Sequence, residues 1–116
     1  MMTPADLQEY INKTIANAKQ TISRLTATME QDPYYVLSMH GDDLALAAAR
    51  VEALTRWQKV IESDRSFTVD QVKEDALDRV LYLSSASPDA LPSSPSRRLV
   101  RNMTIAVWTD LYKRIG

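Results

Sequence analysis

The sequence predicts an all-α fold, a single-domain helical bundle of about four helices. Three observations carry that expectation. The 116 residues contain two glycines, Gly41 and Gly116, whereas hairpin-rich folds draw on glycine for the positive φ of their turns. Ala, Leu, Gln, Arg and Lys, which propagate helices, are abundant. Apolar residues also recur every three or four positions in four separate segments, the spacing of one helix face. The helices are expected near 4–30, 43–62, 69–84 and 95–115, with a Pro/Ser loop over 85–96.

Helix one opens on "TPAD". Thr3 caps, Pro4 takes the first helical position, where an amide is not missed, and Asp6 sits at the positive end of the dipole. Its seam is Leu7, Ile11, Ile15, Ala18, Ile22, Leu25 and Met29. Pro33 ends it, because the residue before a proline avoids helical geometry. "DPYYVLSMHGDD" (32–43) is either an ordered loop or a short helical turn carrying Tyr34, Tyr35, Leu37 and Met39 and ended by Gly41.

Helix two starts at Asp42 or Asp43. It bears two adjoining apolar stripes, Leu44, Ala47, Val51, Leu54, Ile61 and Leu46, Ala49, Ala53, Trp57, Val60, and so should touch more than one neighbour. Helix three has the clearest start: Phe67, then Thr68 as cap, Gln71 three residues on and Val72 next, a capping box with a hydrophobic staple. Its core face is Val72, Ala76, Val80 and Leu83, with Leu77 and Leu81 beside it. Helix four starts at Ser94–Pro95 and carries Val100, Met103, Val107, Leu111 and Ile115, flanked by Ile105, Trp108 and Tyr112. The β-branched run "MTIAVW" (103–108) leaves a strand open as the alternative there.

Composition bounds the function more than it names it. Apolar residues make up 45% of the chain, enough to bury a core, and 14 basic residues face 15 acidic ones. A dedicated nucleic-acid coat usually carries a basic excess. Cysteine is absent, which excludes disulfides, thiolate metal sites and a cysteine nucleophile, and suits the cytoplasm. "MMTPADLQEY" has no basic region leading into an apolar run, so no signal peptide is expected. "LALAAA" (44–49) falls far short of the ~20 residues that cross a membrane.

Chemistry-bearing groups are sparse. His40, the one histidine, lies in "SMHGDD" beside Ser38, Asp42 and Asp43. That letters a small hydrolase or transferase, but also describes a surface histidine next to a helix-capping aspartate, because neighbouring positions seldom give triad geometry. Glu74, Asp75 and Asp78 share helix three without the histidines that di-metal bundles need, so they read as a solvated face and no metal is expected. No glycine-rich phosphate loop occurs, and no cofactor is expected.

The strongest local signal is basic. Arg97, Arg98 and Arg101 crowd the start of helix four, the dipole end that prefers anions. They suit pairing within the chain, an acidic protein partner, or phosphate. Tyr34 and Tyr35, with Met39 nearby, either cover the end of the bundle or join an interface. The seam of helix one serves intramolecular packing, or a homodimer, although the charges that usually flank a coiled-coil seam are missing. The expectation is a non-enzymatic protein-interaction module, an adaptor, regulator or inhibitor of the size of bacterial or phage accessory proteins. The alternative is a nucleic-acid accessory protein using Arg97, Arg98 and Arg101.

Overall fold

The first three helices begin where local chemistry supplies the partners that their first amides lack. A computed structural model describes residues 2–64, 66–84 and 95–116, except for the side chains of 95–97. Helix α1 spans Pro4–Gln31. The Asp6 amide donates to Thr3 Oγ1 at 3.1 Å, and the Thr3 amide donates to the Asp6 carboxylate at 3.2 Å. This reciprocal box satisfies two otherwise orphaned donors.

Helix α2 spans Pro33–Ser63 and starts ten residues before the expected position 43. A single residue, Asp32, separates it from α1. The Asp32 amide donates to Thr28 O at 2.9 Å, closing α1, while its carboxylate accepts from the Tyr35 amide at 3.1 Å, opening α2. With Pro33 at the first position, this corner is a complete start signal, and residues 33–40 are helix. Gly41 does not end them: no positive φ occurs there. A mid-helix glycine costs only about 1 kcal/mol relative to alanine. Packing offsets that, since Val36 and Ala47, on either side of Gly41, are both buried.

Helix α3 spans Val69–Ser84. The Gln71 amide donates to Thr68 Oγ1 at 3.2 Å and the Thr68 amide to Gln71 Oε1 at 3.0 Å. Val72 and Ala76 are buried, and Phe67, Val80 and Leu83 pack against the same core. Leu77 and Leu81, placed beside the core by their spacing, point outward instead, because no other described residue encloses that side of α3. Helix α4 spans Pro95–Ile115, so residues 103–108 are helix and not strand. There Val107 and Trp108 both reach the core, which a strand's alternation would forbid. Residues 95 and 96, assigned to the Pro/Ser loop, belong to α4; the rest of that loop, with the Ser94 cap, lies outside the described residues.

The four helices, the only regular elements among the described residues, make two unequal regions of one bundle. In the body, Leu7, Ile11 and Ile15 of α1 meet Leu54 and Ile61 of α2, Val72 and Ala76 of α3, and Trp108, Leu111 and Ile115 of α4. Polar clasps tie it together. Tyr10 donates to Asp110 at 2.6 Å, Trp57 Nε1 to Asp75 at 2.7 Å, and Lys73 Nζ to the Gly116 carbonyl at 2.7 Å. Arg79 pairs with Asp75 at 3.0 Å and lies 4.9 Å from the centre of the Trp108 ring.

The other region is an antiparallel hairpin. Gln58 donates to Asn12 at 2.9 Å near its root, and the two long helices run from there to the corner at Asp32. Beyond Ile15 and Leu46 the body core ends. The remaining α1 turns extend about 24 Å, at 1.5 Å per residue. This arm holds itself together through Ala18 and Leu25 on α1 against Val36 and Ala47 on α2. The seam of helix one is therefore used against α2. The projecting arm accounts for a longest dimension of 46 Å and a radius of gyration of 15.6 Å, against about 13 Å for a compact chain of this length.

Candidate protein-docking site

The first two turns of α2 form the outer end of the arm, and their large apolar side chains other than Val36 face solvent. Tyr34 is 82% exposed, Met39 66%, Leu37 63% and Tyr35 45%. They do not cover the end of the bundle. The reason is the early start of α2. Residues 33–40 ride out on the arm, where only α1 is present, and α1 needs just one face of a helix, the face that Val36 supplies.

Helical spacing sorts these residues. Tyr34 and Leu37 stand on one edge at i, i+3; Tyr35 and Met39 stand on the other at i, i+4. Ser38 lies between them. Its hydroxyl donates to the Tyr34 carbonyl at 2.7 Å, so it folds back onto its own helix and leaves the strip between the edges low.

Tyr35 is oriented from beside. The Asp43 carboxylate can only accept, so His40 Nδ1 carries the proton of their 3.1 Å hydrogen bond. In the neutral ring Nε2 is then an acceptor, and Tyr35 Oη donates to it at 3.4 Å. The Tyr35 and His40 rings meet edge-on, with centroids 5.4 Å apart. This trio resembles an acid–base relay in its order of contacts. Ser38, however, has its proton engaged by a backbone carbonyl and lies two residues from His40, on another side of the helix. What the contacts accomplish is to fix the orientation of a half-exposed tyrosine.

The arginines belong to the other region. Arg97's side chain lies outside the described residues, and Arg98 is exposed on α4. Arg101 turns inward: its Nε and Nη1 are buried without an acceptor among the described residues. Next to this end of α4, Val100 and Thr104 share a shallow cleft with Ala49, Glu52, Ala53 and Arg56 of α2. Tyr34 is fifteen residues from Ala49 along the same helix, about 22 Å, so the tyrosines and the arginines do not form one surface.

No group of three or more metal-ligating side chains occurs among the described residues, and no described helix is long and apolar enough to cross a membrane. Leu37 and Met39 were visible as apolar letters, but their exposure depended on the length of α2. Gly41's surroundings gave no sequence signal at all. No family model matches the chain, and no curated protein or solved structure matches it either.

Proposed function

We propose that the chain is a non-enzymatic protein-interaction module, an adaptor, regulator or inhibitor, that docks through the outer end of its α1–α2 arm. One observation carries this reading: Tyr34, Leu37 and Met39, three large apolar side chains within six positions, are each more than three-fifths exposed. Scattered single apolar residues on a surface are ordinary, but a grouped set on a projecting element is the usual mark of an interaction site. Tyrosine and methionine are enriched at such sites, and a tyrosine already held in place loses little freedom on binding. The half-fixed Tyr35 suits an anchor. We place this interaction in the cytoplasm, a setting that suits a chain without cysteine.

The nucleic-acid alternative draws no support from Arg101, whose Nε and Nη1 are buried. The test is capture from an extract of the native host with the wild-type chain and with a Tyr34→Ser, Leu37→Ser, Met39→Ser variant. All three positions are exposed, so the variant should fold. A protein recovered with the wild type and lost with the variant supports the reading. Identical recoveries overturn it.

A further inference from the structure

A cleft opens at the root of the arm, where α1, α2 and α4 meet. Its volume is about 250 Å³. Its apolar wall is Leu46 and Leu54 of α2 with Val107 of α4, and its polar groups are Tyr10 of α1, Arg50 of α2 and Asp110 of α4. Leu54 and Val107 belong to the body core, so this wall is fixed by packing. Arg50 is thirteen residues from Leu37 along α2, about 20 Å, and the cleft is separate from the docking site at the arm end.

The polar groups are not all spoken for. Asp110 accepts the Tyr10 hydroxyl through Oδ2 at 2.6 Å, and its other oxygen has no partner among the described residues. Arg50 is half-buried, yet it makes no ion pair or hydrogen bond among the described residues. Its guanidinium is permanently charged and carries five donors in a planar fork that matches a carboxylate. A cation and an anion thus line one cleft beside an apolar wall without pairing with each other. Small-molecule sites have this composition, a mostly apolar concavity with a few placed polar groups.

We propose that the cleft binds a small apolar zwitterion, of the class of the free aliphatic amino acids. The ligand's carboxylate takes the fork of Arg50, its ammonium donates to the open oxygen of Asp110, and its side chain lies on Leu46, Leu54 and Val107. Size supports a small occupant, because sites for drug-sized molecules begin at roughly 300 Å³. Charge supports a zwitterion, because a purely anionic ligand meets Asp110 and a purely cationic one meets Arg50.

The experiment measures binding of L-leucine to the full chain by calorimetry and by melting temperature. Two half-ligands accompany it: 4-methylpentanoate, which lacks the ammonium, and 3-methylbutylamine, which lacks the carboxylate. Leucine should raise the melting temperature, as a ligand of the folded state does, and each half-ligand should bind more weakly. Arg50→Gln should lower leucine affinity about tenfold or more, the contribution of a hydrogen bond to a charged group. It should leave the ligand-free melting temperature unchanged, because no partner within the chain is lost. Ala106→Leu, at an exposed position on the cleft wall, should fold and block the site without altering its charges.

No binding of leucine at millimolar concentration overturns the inference. So does equal binding of leucine and either half-ligand, or undiminished binding by both Arg50→Gln and Ala106→Leu. A marked loss of ligand-free stability in Arg50→Gln overturns it as well, since Arg50 would then already be paired within the chain.

Discussion

The body and the arm are made from the same two long helices, yet they are stabilised differently. In the body, α1 and α2 meet two further helices, and large side chains such as Leu54, Trp108 and Leu111 are almost wholly enclosed. In the arm the same pair has only itself, and Leu25 and Val36 are the two large side chains that are fully buried there. A buried Leu or Val contributes about 1.5–3 kcal/mol, so the arm has little to spare against the entropy of ordering its turns. An element so sparsely supported yet rich in exposed apolar residues is better explained by what it meets than by what it contributes to the fold.

The largest expected effect tests that division directly. Trp108→Ala should lower global stability by about 3–5 kcal/mol, read as a shifted denaturant midpoint with all probes moving together. Leu25→Ala removes a comparably buried side chain, 4% exposed against 2%. Its loss should appear mainly as faster amide exchange between residues 18 and 47, with a much smaller change in the global midpoint, because the arm opens without the body. Equal shifts of the global midpoint would mean that the two regions unfold as one, and the distinction would be lost.

The body was largely legible in the sequence, for a physical reason. Its helices carry strong local signals that packing reinforces: the Thr68–Gln71 box, the Thr3–Pro4 start, and the recurrence of Val107, Leu111 and Ile115. The arm was less legible because its signals conflict. Asp32–Pro33 reads equally as a helix start and as a turn, and Gly41 argues for a stop. Packing of Val36 and Ala47 on α1 decided between them, and that is a long-range fact. The same long-range decision determined the site: once residues 33–40 belong to a projecting helix, Tyr34, Leu37 and Met39 have nothing to cover. Leu77, Leu81 and Val100 show the complementary limit. Periodicity names a face, but not whether a neighbour reaches it.

A smaller effect concerns a place where, among the described residues, the body is poorly satisfied. Arg101 buries Nε and Nη1 without an acceptor among the described residues, and a buried donor left unpaired is destabilising. Arg101→Met keeps most of the stem and removes both donors, so the denaturant midpoint should rise by an equivalent of about 1 kcal/mol. Arm exchange should not change, since Arg101 lies on α4. A fall in stability would show that the guanidinium is engaged in the folded protein.

The smallest effect sits at the root of the arm, where α1 is clasped to α4. Burial, followed by the hydrogen bond to Asp110 and its negative charge, pushes the Tyr10 phenol up from 10.0 to about 12. Arg114, 5.5 Å from the ring centre, only partly offsets this. The folded state therefore holds a proton that the unfolded chain has begun to release. Between about pH 10 and about pH 12 the unfolded state binds fewer protons, and stability falls as pH rises. Below that window both states are protonated and Tyr10 adds no pH dependence. The measurement is the difference between wild type and Tyr10→Phe, in which every group the two chains share cancels. The wild type should lose its lead in melting temperature as the solution becomes alkaline, and the two curves should converge near pH 12. Because the clasp joins α1 to α4 and leaves the arm end untouched, amide exchange in the arm should be the same in both chains at neutral pH. A Tyr10→Phe chain whose arm exchanged faster would couple root to tip, and the two regions would have to be treated as one mechanical unit.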